Sequence, residues 1–317
     1  MTINSKKIES PARNQSDFAR KVKRSIPYYV LILVPLAVLL VFKYYPMYGI
    51  TLAFKDYRVS AGITGSPWTQ PLLRHFTRFL TAPSAVRVIT NTLAISVYSL
   101  LASFPVPIVL AIFLNELRSN RMKKTIQMIT YMPYFISTVV LVSMIIQFTD
   151  ISYGFVNQAI KSLGGQPINF MGNKDYFRHI YVWTGVWQAT GYNAVVYLAA
   201  LSGVSQDMYD AAVVDGASKV KRILHIDLPS IAPTIIILFI LNTGSILSVG
   251  FEKIYLMQNN TNLSVSEVIS TYVYRMGLVN QNYSYSTAVG LFNALVNGLM
   301  LILCNAIARR VSDVGLW

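Results

Sequence analysis

The chain has 317 residues, 54% of them hydrophobic and only 13% charged. Soluble domains carry roughly a quarter charged residues, so this composition excludes an ordinary soluble enzyme and indicates a multi-span membrane protein. The net charge of +14 fits cytoplasmic loops and anionic lipid rather than nucleic acid. A single cysteine, Cys304, excludes an intramolecular disulfide, and His75, His179 and His225 lack the spacing of a metal site.

Residues 1–26 are polar and basic, with seven Lys and Arg against Glu9 and Asp17. They read as a cytoplasmic tail on anionic headgroups, partly disordered; the apolar run after them lacks a small-residue cleavage site, which argues against a secretory leader. A six-span domain is predicted over 27–308. The first span is 27–46, with Lys43 able to snorkel at its outer end. The loop 47–85 follows, with an interfacial helix near Pro71–Leu80. The second span, 88–114, is interrupted by Pro105 and Pro107, which remove backbone bonds and favour a kink. A short basic link leads to the third span, 125–148, with Pro133 in its first half. After a turn-containing loop (149–178) comes the fourth span, 179–201, unusually rich in aromatic and amide side chains. A polar loop, 205–230, separates it from the fifth span, 231–250. The loop 251–285, with a helix at Ser266–Met276, leads to the last span, 286–308. Residues 309–317 form a short cytoplasmic tail.

Six spans put both termini on one side. The segments on that side carry sixteen Lys and Arg against nine in the opposite loops. The positive-inside rule therefore assigns the termini and the 205–230 loop to the cytoplasm.

Within that loop, Asp210 to Pro229 reads DAAVVDGASKVKRILHIDLP. Gly216 can end a helix at positive φ, Ser218 can cap a second one, and Pro229 suits a helix start. The expectation is a short helix, a tight bend and a second short helix before the fifth span. As a plain surface link this needs no further role.

The pattern also resembles the EAA loop of permease subunits of binding-protein-dependent ABC importers. Asp210, Ala211 and Ala212 stand at the Glu-Ala-Ala positions. Asp215, Gly216 and Ala217 match the Asp-Gly-Ala, and Ile226, Leu228 and Pro229 match the Ile-x-Leu-Pro. Asp210 replaces the usual Glu and Ile223 the usual Phe. A second stretch, PMYGITLAFKDY (Pro46–Tyr57), resembles the sugar-importer branch, in particular systems for oligosaccharides or polysaccharide fragments.

The resemblance implies an all-α type I importer permease of a bacterial inner membrane. It implies a coupling helix that docks on an ATPase, with Asp215 among its residues: Asp210 offers a carboxylate to a basic group there, and Ala211, Ala212 and Ala217 allow close approach. Gly216 makes the bend, Ile223 and Leu224 supply an apolar knob, and Pro229 closes the motif. It further implies a second homologous permease, two ATPase subunits that bind ATP and Mg, an extracytoplasmic solute-binding protein docking on loops 47–85, 149–178 and 251–285, and a carbohydrate cargo. Those loops could also simply pack on one another.

The chain has no phosphate-binding Gly-x4-Gly-Lys-Ser/Thr loop. LSGVSQ (Leu201–Gln206) echoes an ATPase signature but stands alone at the end of a span. No catalytic, cofactor or metal residues are assigned, and ATP hydrolysis falls to partner subunits. A secondary carrier would ordinarily show an acid or base at mid-membrane, and none stands out; the alternative readings are a self-sufficient channel or secondary carrier, or an ABC importer permease for a non-sugar solute. The spans offer aromatics and amides instead: Trp183, Trp187, Gln188, Tyr192 and Asn193 in the fourth, Asn242 and Ser245 in the fifth, and Asn293 and Asn297 in the sixth. Such groups suit a neutral, hydroxyl-rich sugar. They equally suit hydrogen bonds between helices.

Overall fold

Long apolar runs without water must satisfy their own backbone bonds, and helices do so within one segment. The computed structural model describes residues 12–312 together with 315 and 316. Among these, the only β feature is an isolated bridge between Lys55 and Trp68. The first eleven residues of the basic tail, and Asp313, Val314 and Trp317 of the other, lie outside the described residues. From Ala12 the tail is helical, not irregular: α1 spans Ala12–Leu39 and continues through a wide π turn at Leu40–Tyr44. The chain divides into two units, Met1–Leu52 and Ala53–Trp317.

In the second unit α2 (Arg74–Thr81) matches the expected interfacial helix. Next come α3 (Pro83–Ser103) and α4 (Pro105–Asn115). Pro105 sits at the first position of α4, where no intrahelical donor is needed, so the two helices continue as one apolar stretch, Pro83–Asn115. α5 (Asn120–Tyr131) and α6 (Thr138–Phe148) follow, then α7 (Phe155–Ser162) and α8 (Lys174–Ser202). α9 is Gln206–Val214, and α10 (Lys219–Arg222) leads through a π turn at Ile223–Asp227 into α11 (Leu228–Gly244). The remaining helices are α12 (Phe251–Met257), α13 (Ile269–Tyr274), which runs into a π turn at Arg275–Val279, and α14 (Tyr283–Ser312). The helix expected at Ser266–Met276 is thus α13 with its π extension, starting three residues later.

Four helical stretches among the described residues are long and apolar enough to cross a membrane: Arg24–Phe54, Pro83–Asn115, Lys219–Gly244 and Tyr283–Arg310. The predicted third span is not one straight helix. Pro133 has no N–H to donate, and the chain turns by 96° between Asn120–Phe135 and Thr138–Phe148. α8 has 29 residues, or about 43 Å at the α-helical rise. That is long enough to span, but its polar side chains keep it out of the apolar set.

α8 is the hub of the unit and packs on α3, α4, α5 and α11. Its Phe177, Tyr181, Val182 and Val186 join Ile95, Val142 and Ile254 in one cluster. Lower down, Ala194, Tyr197 and Leu201 meet Ala111 and Ile231 in another. α8 also repairs the break between α5 and α6. Gln188 Nε2 donates to the Ile136 carbonyl at 2.9 Å, which the break would otherwise leave unpaired. Tyr192 stacks on Tyr134 with centroids 3.9 Å apart. Between them, Gly191 lets the Thr130 backbone approach so closely that a Cβ would lie 2.1 Å from its carbonyl oxygen.

The loops outside the spans are knitted by amides, of which Asn157 and Asn262 are fully buried and Asn259 is exposed. Asn157 donates to the carbonyls of Thr149, Asp150 and Ile168. Asn259 and Asn262 both donate to the Met171 carbonyl, joining loop 251–285 to loop 149–178. Glu267 is buried and pairs with Arg87 at 2.8 Å and also with Arg275.

Two outcomes follow from this packing. Gly191→Ala overpacks the α5–α8 crossing, a class of change that costs about 1–3 kcal/mol; thermal melting of the detergent-purified protein should show a lower Tm, and an unchanged Tm would refute the close contact. Glu267→Ala strands two cations whereas Arg87→Ala leaves Arg275 paired, so the first variant should melt at the lower temperature; the reverse order would show that the carboxylate is not the centre of the cluster.

Candidate functional site

The 205–230 loop is built by its caps. Ser205 Oγ accepts the Asp207 N–H at 3.3 Å and starts α9. At the other end the Gly216 N–H reaches the Val213 carbonyl at 3.0 Å and the Ala217 N–H reaches Ala212 at 2.8 Å. This double closure requires a left-handed residue, and Gly216 has φ +70°. A Cβ there would meet nothing within 4 Å, so the glycine serves backbone conformation, not close packing. Ser218 then caps α10 by accepting the Lys221 N–H at 3.4 Å.

The bend at Gly216 and the cap at Ser218 are as expected, the cap at Ser205 is unanticipated, and the second helix is not a short separate piece. α10 passes through the π turn into α11 without a stop. Pro229 cannot donate, and the wide turn just before it absorbs the missing bond, so the helix runs through.

The outer face of the loop is exposed and mixed. Asp210, Ala211, Asp215, Gly216 and Pro229 are exposed, while Ala212, Ala217 and Ile223 are half-buried. Leu224 is the outward apolar residue of the Ile223–Leu224 pair, and it is joined by Met208, Val213, Val214 and Val220, with Val214 87% exposed. These valines carry no distinctive sequence signal. Among the described residues the carboxylate of Asp210 accepts only from Gln206 Nε2 of the same helix, at 3.1 Å.

The inner face is polar and tied down. The Tyr209 hydroxyl donates to Asp227 and accepts from Asn115 Nδ2 at 3.4 Å. Arg222 pairs with Glu116 at 3.7 Å. Tyr209, Asn115, Arg222 and Glu116, with Gln206 and Lys219, border a cavity of about 320 Å³. Sequence reading passed over Tyr209, Glu116 and Asp227, because their meeting depends on how α4, α9 and α11 converge.

The amide and aromatic residues of the spans divide into groups. Tyr192, Asn193 and Asn242 line one cavity of about 140 Å³ with Ser103 and Tyr197. Asn242 and Ser245 line a neighbouring cavity of about 180 Å³ with Ser96, Ser99, Ser103 and Tyr181. Ser103 and Asn242 belong to both, so a continuous polar seam runs between α3, α8 and α11. The Ser96 and Ser99 hydroxyls have no hydrogen-bond partner among the described residues. The serines recur at helical spacing, 96, 99 and 103, a pattern the sequence held and the amide search overlooked.

The other candidates lie elsewhere. Gln188 is committed to the Ile136 carbonyl. Asn297 accepts the Leu247 N–H at 2.9 Å and donates to Ser248 Oγ at 2.9 Å, closing the chain just after α11. Asn293 lines a separate apolar groove with Tyr274 and Gly290. Trp183 donates to Tyr98, whose hydroxyl meets His179 Nδ1 at 2.8 Å; Trp183 and Trp187 are both about half exposed. Among the described residues no cluster of His, Cys, Asp or Glu could hold a metal ion.

Comparison with known proteins places this geometry. Protein LplB of Bacillus subtilis is 41% identical over 93% of this chain and 92% of its own length. The polygalacturonan/rhamnogalacturonan transport system permease protein YteP of the same organism is 40% identical over 91% of this chain and 89% of its own. A chain in the crystal structure of a bacterial ABC transporter involved in import of the acidic polysaccharide alginate superposes with a TM-score of 0.85, at 36% identity, over 93% of this chain and 99% of that one. A chain of the alginate transporter in complex with alginate pentasaccharide-bound periplasmic protein superposes with a TM-score of 0.85, at 36% identity, over 94% of this chain and 99% of that one. The family described as binding-protein-dependent transport system inner membrane component matches residues 103–313, which include the capped loop and the seam from Ser103 onward, and the chain belongs to that family.

Proposed function

We propose that this chain is one of two permease subunits of an ABC importer and forms half of the path for an oligosaccharide. The observation that carries the reading is the pairing of two surfaces on one continuous helix. At one end of Lys219–Gly244 stands the exposed, capped loop; at the other stand Asn242 and Ser245 in a seam of hydroxyls and amides. A seam without fixed charges suits a polyhydroxy solute, which hydroxyl and amide groups can bind and release.

In this reading the four apolar stretches, the bent α5–α6 pair and α8 make six crossings, with both termini and α9 in the cytoplasm. Two separate ATPases bind ATP and Mg and receive α9 through Asp210, Asp215 and the apolar side chains Val213, Val214 and Leu224. Small residues at 211, 212 and 217 allow the approach. A solute-binding protein docks on the amide-knitted loops of the opposite face, and nucleotide-driven closure tilts the spans between inward- and outward-facing states. The cargoes of two similar transport proteins, polygalacturonan/rhamnogalacturonan and alginate, make uronate oligosaccharides the first class to test.

The test is reconstitution in liposomes with the second permease, the ATPase and the binding protein, screening ATPase stimulation with neutral and acidic oligosaccharides. Stimulation that needs both the binding protein and one saccharide class supports the reading; solute flux through this chain alone would defeat it. Asp210→Lys, Gly216→Pro and Leu224→Asp should each abolish stimulated ATPase while the protein still inserts, and wild-type uptake by these variants would remove the loop from the mechanism. Asn193→Ala and Asn242→Ala should lower uptake without loss of assembly. Gln188→Ala, which frees the Ile136 carbonyl, should instead lower the yield of folded protein; normal yield with reduced uptake would return Gln188 to the substrate path.

A further inference from the structure

α9 has two faces with different chemistry. Outward it presents Met208, Val213 and Val214, all exposed. Inward it presents Tyr209, whose hydroxyl donates to the carboxylate of Asp227. Asp227 is 0% exposed, and its second oxygen, Oδ2, has no partner among the described residues. A buried carboxylate is costly unless hydrogen-bonded, so Asp227 depends on Tyr209 staying in place. Burial first, and then the neighbouring Asp227 carboxylate, push the Tyr209 hydroxyl up to about 12. It therefore remains a donor across the working pH range.

The same hydroxyl accepts from Asn115 at the end of α4, and Arg222 at the end of α10 reaches Glu116 just beyond Asn115. Three segments are thus joined at one point: the end of Pro83–Asn115, the helix α9, and the start of Lys219–Gly244. The two long helices in that junction supply Ser96, Ser99, Ser103 and Asn242 to the polar seam, and Ser245 follows directly on the second of them.

We propose that Tyr209 and Asp227 are positioning residues that strap α9 to the cytoplasmic ends of these two helices, so that displacement of α9 is delivered to the seam and not absorbed by the loop. The proposal rests on the coupling reading of the loop. The strap predicts loss of coupling with retained assembly, because neither side chain lies on the exposed docking face.

The experiment uses the full complex in liposomes, with the binding protein loaded from a mixture of pectin- and alginate-derived oligosaccharides. Tyr209→Phe should assemble and hydrolyse ATP, but its stimulation by loaded binding protein should fall about tenfold, the scale of one lost hydrogen bond to a charged group. Hydrogen exchange in residues 206–214 should rise. If Tyr209→Phe does not assemble, Asp227→Val and Asp227→Thr carry the test. They have nearly the same volume, and only Thr offers an oxygen to Tyr209, so Thr should keep most of the stimulation that Val loses. Stimulation within twofold of wild type in Tyr209→Phe, or equal behaviour of the Val and Thr variants, would overturn the strap. So would a parallel fall of assembly, basal hydrolysis and stimulation, which marks a purely structural role. Leu224→Asp separates the two levels. If it abolishes stimulation while Tyr209→Phe does not, the strap alone fails; if it leaves stimulation intact, the docking reading fails and the strap with it.

Discussion

Hydrocarbon offers no hydrogen bonds, so every carbonyl freed by a proline or a broken helix must find a donor inside the protein. At the break between α5 and α6 that duty falls on one helix, α8. Its Gln188 supplies the donor at the α5–α6 break, its Gly191 permits the close approach, and its Tyr192 stacks on the segment that turns. A helix with these commitments cannot be uniformly apolar. The polarity that sets α8 apart from the other long helices supplies the donor at the place where the neighbouring α5–α6 segment turns by 96°.

Helix positions and caps were readable because they depend on neighbours in sequence. Gly216 and Ser218 are a few residues from the groups they serve, and the structure has them at positive φ and at a cap as their chemistry requires. Pro133 signalled disturbance, but proline alone does not say whether a helix kinks or breaks; that depended on the donors α8 brings. Pro229 shows the opposite outcome, since the π turn before it let the helix continue.

The site residues divide along the same line. Tyr192, Asn193, Asn242 and Ser245 come together because their helix faces converge. Gln188 and Asn297 have the same side-chain chemistry, yet their amides are spent on backbone groups of neighbouring segments. Residue type cannot separate these cases, because a sugar hydroxyl and a stranded carbonyl ask for the same donor. The Tyr209–Asp227 contact spans eighteen positions and becomes visible only once three segments meet.

The π turn at Ile223–Asp227 has one more consequence. A wide turn holds an extra residue, and each residue in an α-helix advances about 100° around the axis. Everything beyond the turn is therefore rotated by about that angle relative to a regular continuation. Asn242 lies beyond the turn and carries this phase shift, so the stretches before and after the turn follow two different helical wheels. Losing the turn's extra residue would rotate the face that Asn242 presents to the seam against the outward face of the loop.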